Sequence, residues 1–162
     1  MKTWMSRAVV AAGVVVGSAQ ARADDATLKW ATIIGIIQAG NVVAGIPGGG
    51  QPWSTLGGNA SVNVQSGQVH FRVDGLVLAG GNNVGTRDAI TQVKGTLVCN
   101  TTTTPVVVDT PLVPLDEEGD ARFDGDVGPI PAACSGNPNV AFLVRIAAGR
   151  WIANGAVLQQ PH

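Results

Sequence analysis

The sequence has 162 residues, ten Lys and Arg against eleven Asp and Glu, and a net charge of -1; 13% of it is charged and 45% hydrophobic. Globular chains average about a quarter charged residues, so one this poor in charge, with 22 Gly and no Tyr, is a turn-rich β sequence rather than a coiled coil or long amphipathic bundle. Basic residues never cluster, which excludes a polycationic nucleic-acid binder, and abundant Val and Ile at low net charge argue against disorder.

Residues 1–23 have a basic start (Lys2, Arg7), an apolar run from Ala8 to Val16, and the ending Ala21-Arg22-Ala23. This three-part layout predicts a secretory signal peptide cut before Asp24. The apolar run is only half of the roughly 20 residues that a spanning helix needs, so no integral membrane segment is expected after cleavage. Loss of Lys2, Arg7 and Arg22 leaves seven basic residues against eleven acids, a net charge of -4 on a single domain at 24–162. Export to the periplasm or the extracellular space would oxidise thiols, so Cys99 and Cys134, the two cysteines, are expected to form one disulfide.

Ala31 to Ile37 is a continuous, Ile-rich apolar stretch and predicts a buried strand. Residues 41–52, Asn-Val-Val-Ala-Gly-Ile-Pro-Gly-Gly-Gly-Gln-Pro, form a loop by composition. Its three glycines lack the following Lys-Ser or Lys-Thr of a phosphate loop, and no cofactor is called for. Ala60 to Gln65 and Gln68 to Leu78 flank a Ser66-Gly67 turn and predict a hairpin. Within it Val69, Phe71 and Val73 alternate with His70, Arg72 and Asp74, a half-buried strand with a water-facing side.

A Gly80–Asn83 turn leads to a strand over Ile90–Cys99, where Val93, Leu97 and Cys99 share one parity opposite Lys94 and Thr96. Asn100 to Thr104 is a loop. Pro105 to Leu115 is β-branched but carries prolines at 105, 111 and 114, which suit an edge strand or a bend. Asp116 to Asp120 turns the chain into a strand over Ala121–Val127, with Arg122, Asp124 and Asp126 opposite Phe123. A Pro, Ala and Gly-rich connection, 128–138, carries Cys134. A final hairpin joins Val140–Ile146 to Arg150–Leu158 through Ala147-Ala148-Gly149. About eight or nine short strands at roughly ten-residue spacing predict an all-β fold, a single antiparallel β-sandwich of immunoglobulin-like or jelly-roll type. A transmembrane barrel would wear girdles of Tyr and Trp, which this chain lacks.

The polar trio His70, Arg72 and Asp74 is the closest approach to a catalytic set. A general base needs an orienting partner and a nucleophile or water in reach, and none is evident in sequence, so the trio reads as a solvated face with some capacity for binding. The acids Asp116, Glu118 and Asp120 are weak calcium candidates, but their spacing fits a hairpin tip better. Trp30 and Trp151 sit between apolar neighbours and read as core. Trp53, in Pro-Trp-Ser, is expected to be the exposed tryptophan and a weak binding candidate.

Gly75–Asn82 (GLVLAGGN), Gln92–Cys99 (QVKGTLVC) and Gly149–Ala156 (GRWIANGA) resemble phrases of small secreted bacterial β-rich proteins, a likeness that spans most of 24–162. The resemblance implies export and a β-rich fold and brings no activity or site residues with it. The expectation from sequence is a secreted, non-enzymatic binding or interaction module, engaging a protein or glycan surface through loops at one end. The alternatives are a structural subunit that exchanges strands through Ala31–Ile37, or an enzyme with an unrecognised site.

Overall fold

A computed structural model describes residues 26–136 and 139–159. The expected leader, its cut before Asp24 and the terminal His162 lie outside the described residues. In chain order the strands are β1 (Thr27–Gly35), β2 (Val42–Val43), β3 (Ile46–Pro47), β4 (Trp53–Ser54), β5 (Gly57–Asn63), β6 (Gln68–Asp74) and β7 (Val77–Leu78). They continue as β8 (Gln92–Cys99), β9 (Val106–Asp109), β10 (Val113–Pro114), β11 (Ala121–Asp126), β12 (Val140–Ile146) and β13 (Trp151–Gln159).

Strand formation follows the alternation. β6 buries Val69, Phe71 and Val73 and turns His70, Arg72 and Asp74 to the other face, as the two-residue period requires. The turn from β5 into β6 is closed by the Asn63 carboxamide, whose Oδ1 accepts the Gln65 and Ser66 N–H groups at 3.0 and 2.9 Å, and by Gly67 at φ 80.

Nine strands join one antiparallel sheet in the order β10-β8-β12-β13-β1-β5-β6-β11, with β9 also paired to β8. The sheet curls into a half-barrel, which brings its end strands β10 and β11 into contact without a ladder between them. The prolines explain the open seam. Pro111 and Pro114 carry no backbone N–H, so the β9–β10 side is poor at bonding to β11 and stays an edge, as the sequence led one to expect. The expected all-β, antiparallel fold is thus present, built around one curled sheet.

The core lies inside the curl. Trp30 and Phe142 have ring centroids 5.5 Å apart, Phe71 and Phe142 5.8 Å, and Phe123 stacks on Phe71 at 6.3 Å. Burying each large apolar side chain stabilises by about 1.5–3 kcal/mol, and an aromatic pair adds about 0.5–1.5 kcal/mol beyond area. Cys99 and Cys134 form the expected disulfide, with S–S 2.02 Å and Cα–Cα 5.1 Å. It fastens a short 3-10 turn, Ala132–Cys134, to the end of β8.

β1 departs from a uniformly buried run. Ile33 and Ile36 are buried, whereas Ile34 and Ile37 are 39% and 83% exposed. The strand ends at Gly35, where a Cβ would stand only 2.1 Å from the Trp53 carbonyl oxygen; only glycine lets β4 approach so closely. β1 also lies inside the sheet, paired with β13 and β5. Beyond the β5 pairing, the Thr55 hydroxyl donates to Ile33 O and Trp53 N–H to Ile36 O, both at 2.8 Å. Ala31–Ile37 is thus paired with β13 along one side, and on the other the Ile33 and Ile36 carbonyls are taken by Thr55 and Trp53.

Candidate functional site

Trp53 is buried, 6% exposed, which corrects the expectation of an exposed tryptophan. The reason is tertiary. β4 pairs with β7 so that Trp53 faces Leu78, and Trp53 N–H donates to Ile36 O of the segment after β1. The indole nevertheless borders open space, because it lines a cleft of about 310 Å³ at one end of the curled sheet. Leu78, Ile90, Ile146 and Ile152 complete the apolar lining, and Gln51, Asp88 and Arg150 form an exposed polar rim. Pockets for small ligands share this character, an apolar interior with a few placed polar groups.

One wall is the glycine run that composition identified only as a loop. Gly49 N–H donates to Trp151 O at 2.8 Å, Gly48 N–H to Asn41 O at 2.7 Å, and Gly40 N–H to Gly49 O at 2.8 Å. Side chains add to this: Arg150 Nη1 donates to Gly48 O at 3.0 Å and Trp151 Nε1 to Asn41 O at 3.1 Å. At Gly48 a Cβ would meet Ile36 Cδ1 at 2.4 Å, so glycine is needed for the wall to sit against β1. The opposite rim is the 79–91 loop. There Leu78 N–H donates to Thr86 O at 2.9 Å, Asn83 Nδ2 to Asp88 Oδ1 at 2.9 Å, and Arg87 Nη1 to Ile90 O at 3.0 Å. Both walls are thus held by bonds of their own before any ligand arrives.

A second recess of about 310 Å³ lies on the other side of Trp53, among Ile34, Ile37, Pro52, Thr55 and Ala79. With Leu56 nearby in sequence, Ile34 and Ile37 make three of the eight exposed large apolar side chains of the described residues, and clustered exposed apolar groups mark interaction sites.

The remaining candidates lie elsewhere. His70, Arg72 and Asp74 share the outer face of β6, and β11 adds Asp124 opposite His70. His70 Nδ1 is 3.4 Å from Asp124 Oδ2, Gln68 Nε2 donates to Asp124 Oδ1 at 2.7 Å, and Arg72 pairs with Asp74 at 3.0 Å. These contacts leave a solvated strand face that contributes no residue to the cleft lining. Asp116 and Asp120 each give an oxygen to the backbone: Asp116 Oδ1 accepts Asp120 N–H and Asp120 Oδ1 accepts Gly75 N–H, both at 2.8 Å. Asp116 and Asp120 thereby fix the β10–β11 turn against the β6–β7 corner. Among the described residues no three His, Cys, Asp or Glu side chains are gathered as metal ligands.

The tightest charge cluster was not anticipated. Asp109 on β9 accepts from Lys94 Nζ and, at 2.7 Å, from Thr96 Oγ1, while Arg145 Nη1 stands 3.4 Å away. Burial alone would raise the Asp109 carboxyl, but the Lys94 and Thr96 hydrogen bonds and the Lys94 and Arg145 charges outweigh it and hold it below its ordinary value. Thr96, expected on a water-facing side, is fully buried beneath this network.

No family model matches this chain, and neither the curated proteins nor the solved structures contain a significant match.

Proposed function

We propose that this chain is an exported, non-enzymatic binding module of the bacterial envelope or extracellular space, and that its Trp53 cleft is the part that engages its ligand. The observation that carries the reading is the cleft itself. Its apolar interior and polar rim are drawn from four separate stretches of chain, and its walls are braced by backbone hydrogen bonds. A preformed site lowers the ordering cost of binding. The disulfide supports a life in an oxidising compartment, and the leader supplies the route.

Two measurements test it. N-terminal sequencing of the exported protein is expected to begin at Asp24; retention of residues 1–23 on a cytoplasmic product would overturn the export. On glycan and peptide arrays the oxidised protein is expected to give hits that Gly50→Trp abolishes, since Gly50 borders the cleft and a Cβ there meets nothing within 4 Å. The same hits should survive His70→Ala on the far strand face. The reverse pattern would move the binding surface to β6 and β11.

A further inference from the structure

Arg150 and Asp88 carry opposite charges and line the same cleft, yet no ion pair joins them and neither pairs with another described residue. Arg150 uses one N–H on Gly48 O, and Asp88 Oδ1 accepts one from Asn83. Both are positioned rather than trailing. Asp88 is held in the left-handed region at φ 52, with its N–H donating to Thr86 Oγ1 at 3.1 Å. Arg150 follows the Gly149 turn and is tied across the fold to the glycine wall. The Trp53 indole belongs to the same lining, its Nε1 3.6 Å from where a Cβ on Gly49 would stand.

A simple anion in this cleft would meet Arg150 favourably and Asp88 unfavourably, and a simple cation the reverse. A ligand bearing both charges on an apolar body satisfies each. The space, about 310 Å³, equals roughly ten water-sized volumes, the scale of a single amino acid or a dipeptide.

We propose that the cleft binds a zwitterionic apolar amino acid or dipeptide, with its carboxylate on Arg150, its ammonium on Asp88, and its side chain against Ile90, Ile146 and Ile152. This rests on the reading of the cleft as the binding site and names the ligand class for it. The charges determine which molecules enter, and the isoleucines determine which side chains stay.

The test uses the mature, oxidised protein and the indole N–H resonance of Trp53, assigned by its loss in Trp53→Phe. The probes are L-leucine, leucyl-leucine, N-acetyl-leucine, which lacks the ammonium, and leucinamide, which lacks the carboxylate. Leucine or leucyl-leucine is expected to move the Trp53 signal saturably, with both blocked analogues at least tenfold weaker. Arg150→Gln should weaken leucine at least tenfold while leaving leucinamide unchanged. Asp88→Asn, which keeps a residue tolerant of the left-handed backbone, should weaken leucine likewise while leaving N-acetyl-leucine unchanged.

A merely structural role for these residues would not give this crossed pattern. Equal binding of blocked and free leucine, or absence of the crossed pattern, overturns the proposal. If the zwitterions leave the signal unmoved while an array hit moves it, the ligand class is wrong and the cleft remains the binding site. If no probe or hit moves it, both readings fall.

Discussion

Gly95 lies directly beneath Phe142: a Cβ built on it would stand 2.7 Å from Phe142 Cζ and 2.8 Å from Phe71 Cδ1. The missing side chain on β8 makes room for the two rings that fill the curled sheet. The same arrangement recurs two strands along the sheet, where a Cβ on Gly155 of β13 would stand 2.6 Å from Trp30 Cγ. The aromatic core and the glycines facing it are therefore one packing unit.

Gly95→Ala is expected to destabilise by about 1–3 kcal/mol, the usual cost of overfilling a packed core, with Gly155→Ala similar. Gly50→Ala is expected to stay within about 0.5 kcal/mol, because its Cβ would enter open space. Urea unfolding of the three variants checks the contrast. Equal midpoints for Gly95→Ala and Gly50→Ala would mean that the rings can move aside.

Reduction of Cys99–Cys134, or the double substitution to Ser, is expected to cost roughly 3–4 kcal/mol through the freedom returned to the unfolded chain. The bond closes a loop over 35 residues of sequence separation. Denaturant unfolding with and without reductant measures it, and a loss under 1 kcal/mol would show that the 128–136 connection is held by its own packing.

Asp109 makes stability depend on pH on the acid side. Its folded carboxyl lies below its unfolded value, so the folded state favours the ionised form. The contribution is complete above the ordinary Asp value of about 3.9 and is lost as pH falls through the lower folded value. Asp109→Asn is expected to lower stability at pH 7 and to flatten the acid limb of the stability curve relative to the parent. Unfolding midpoints across pH 2–7 provide the comparison, and parallel curves would assign the acid sensitivity to other carboxylates.

Asp120→Ala is expected to cost about 1–3 kcal/mol by orphaning Gly75 N–H, and Asp116→Ala about 1 kcal/mol. Because these oxygens serve the backbone, the melting temperature of the parent should not respond to calcium or EDTA. A calcium-dependent rise of several degrees that either substitution removes would restore the acidic turn as a cation site.

Local chemistry in the sequence was enough for several strands and for the faces of β6. The alternation of Val69, Phe71 and Val73 with His70, Arg72 and Asp74 is a property of seven consecutive residues, and so is the Ser66-Gly67 turn. The disulfide was legible because the sequence holds two cysteines and therefore one possible pair. The prolines at 111 and 114 marked an edge because a missing N–H is a property of the residue itself. The all-β class and the β5–β6 and β12–β13 hairpins were legible for this reason, whereas the acidic turn, read as a hairpin tip, leads into a strand that pairs with β6 instead of β10.

Trp53 and its cleft were not, because burial there is decided by partners far along the chain. Gly49, Leu78, Asp88 and Arg150 meet only after the sheet has curled, and Arg150 is 102 positions from the glycine carbonyl that it holds. The sequence showed a tryptophan in a polar, glycine-rich setting and implied exposure; the pairing of β4 with β7 buried it. Thr96 and Asp109 follow the same rule, since the β8–β9 register alone brings them together. Period and turn chemistry act over a few residues and can be read in order, whereas a site built from distant segments exists only once the chain has closed on itself.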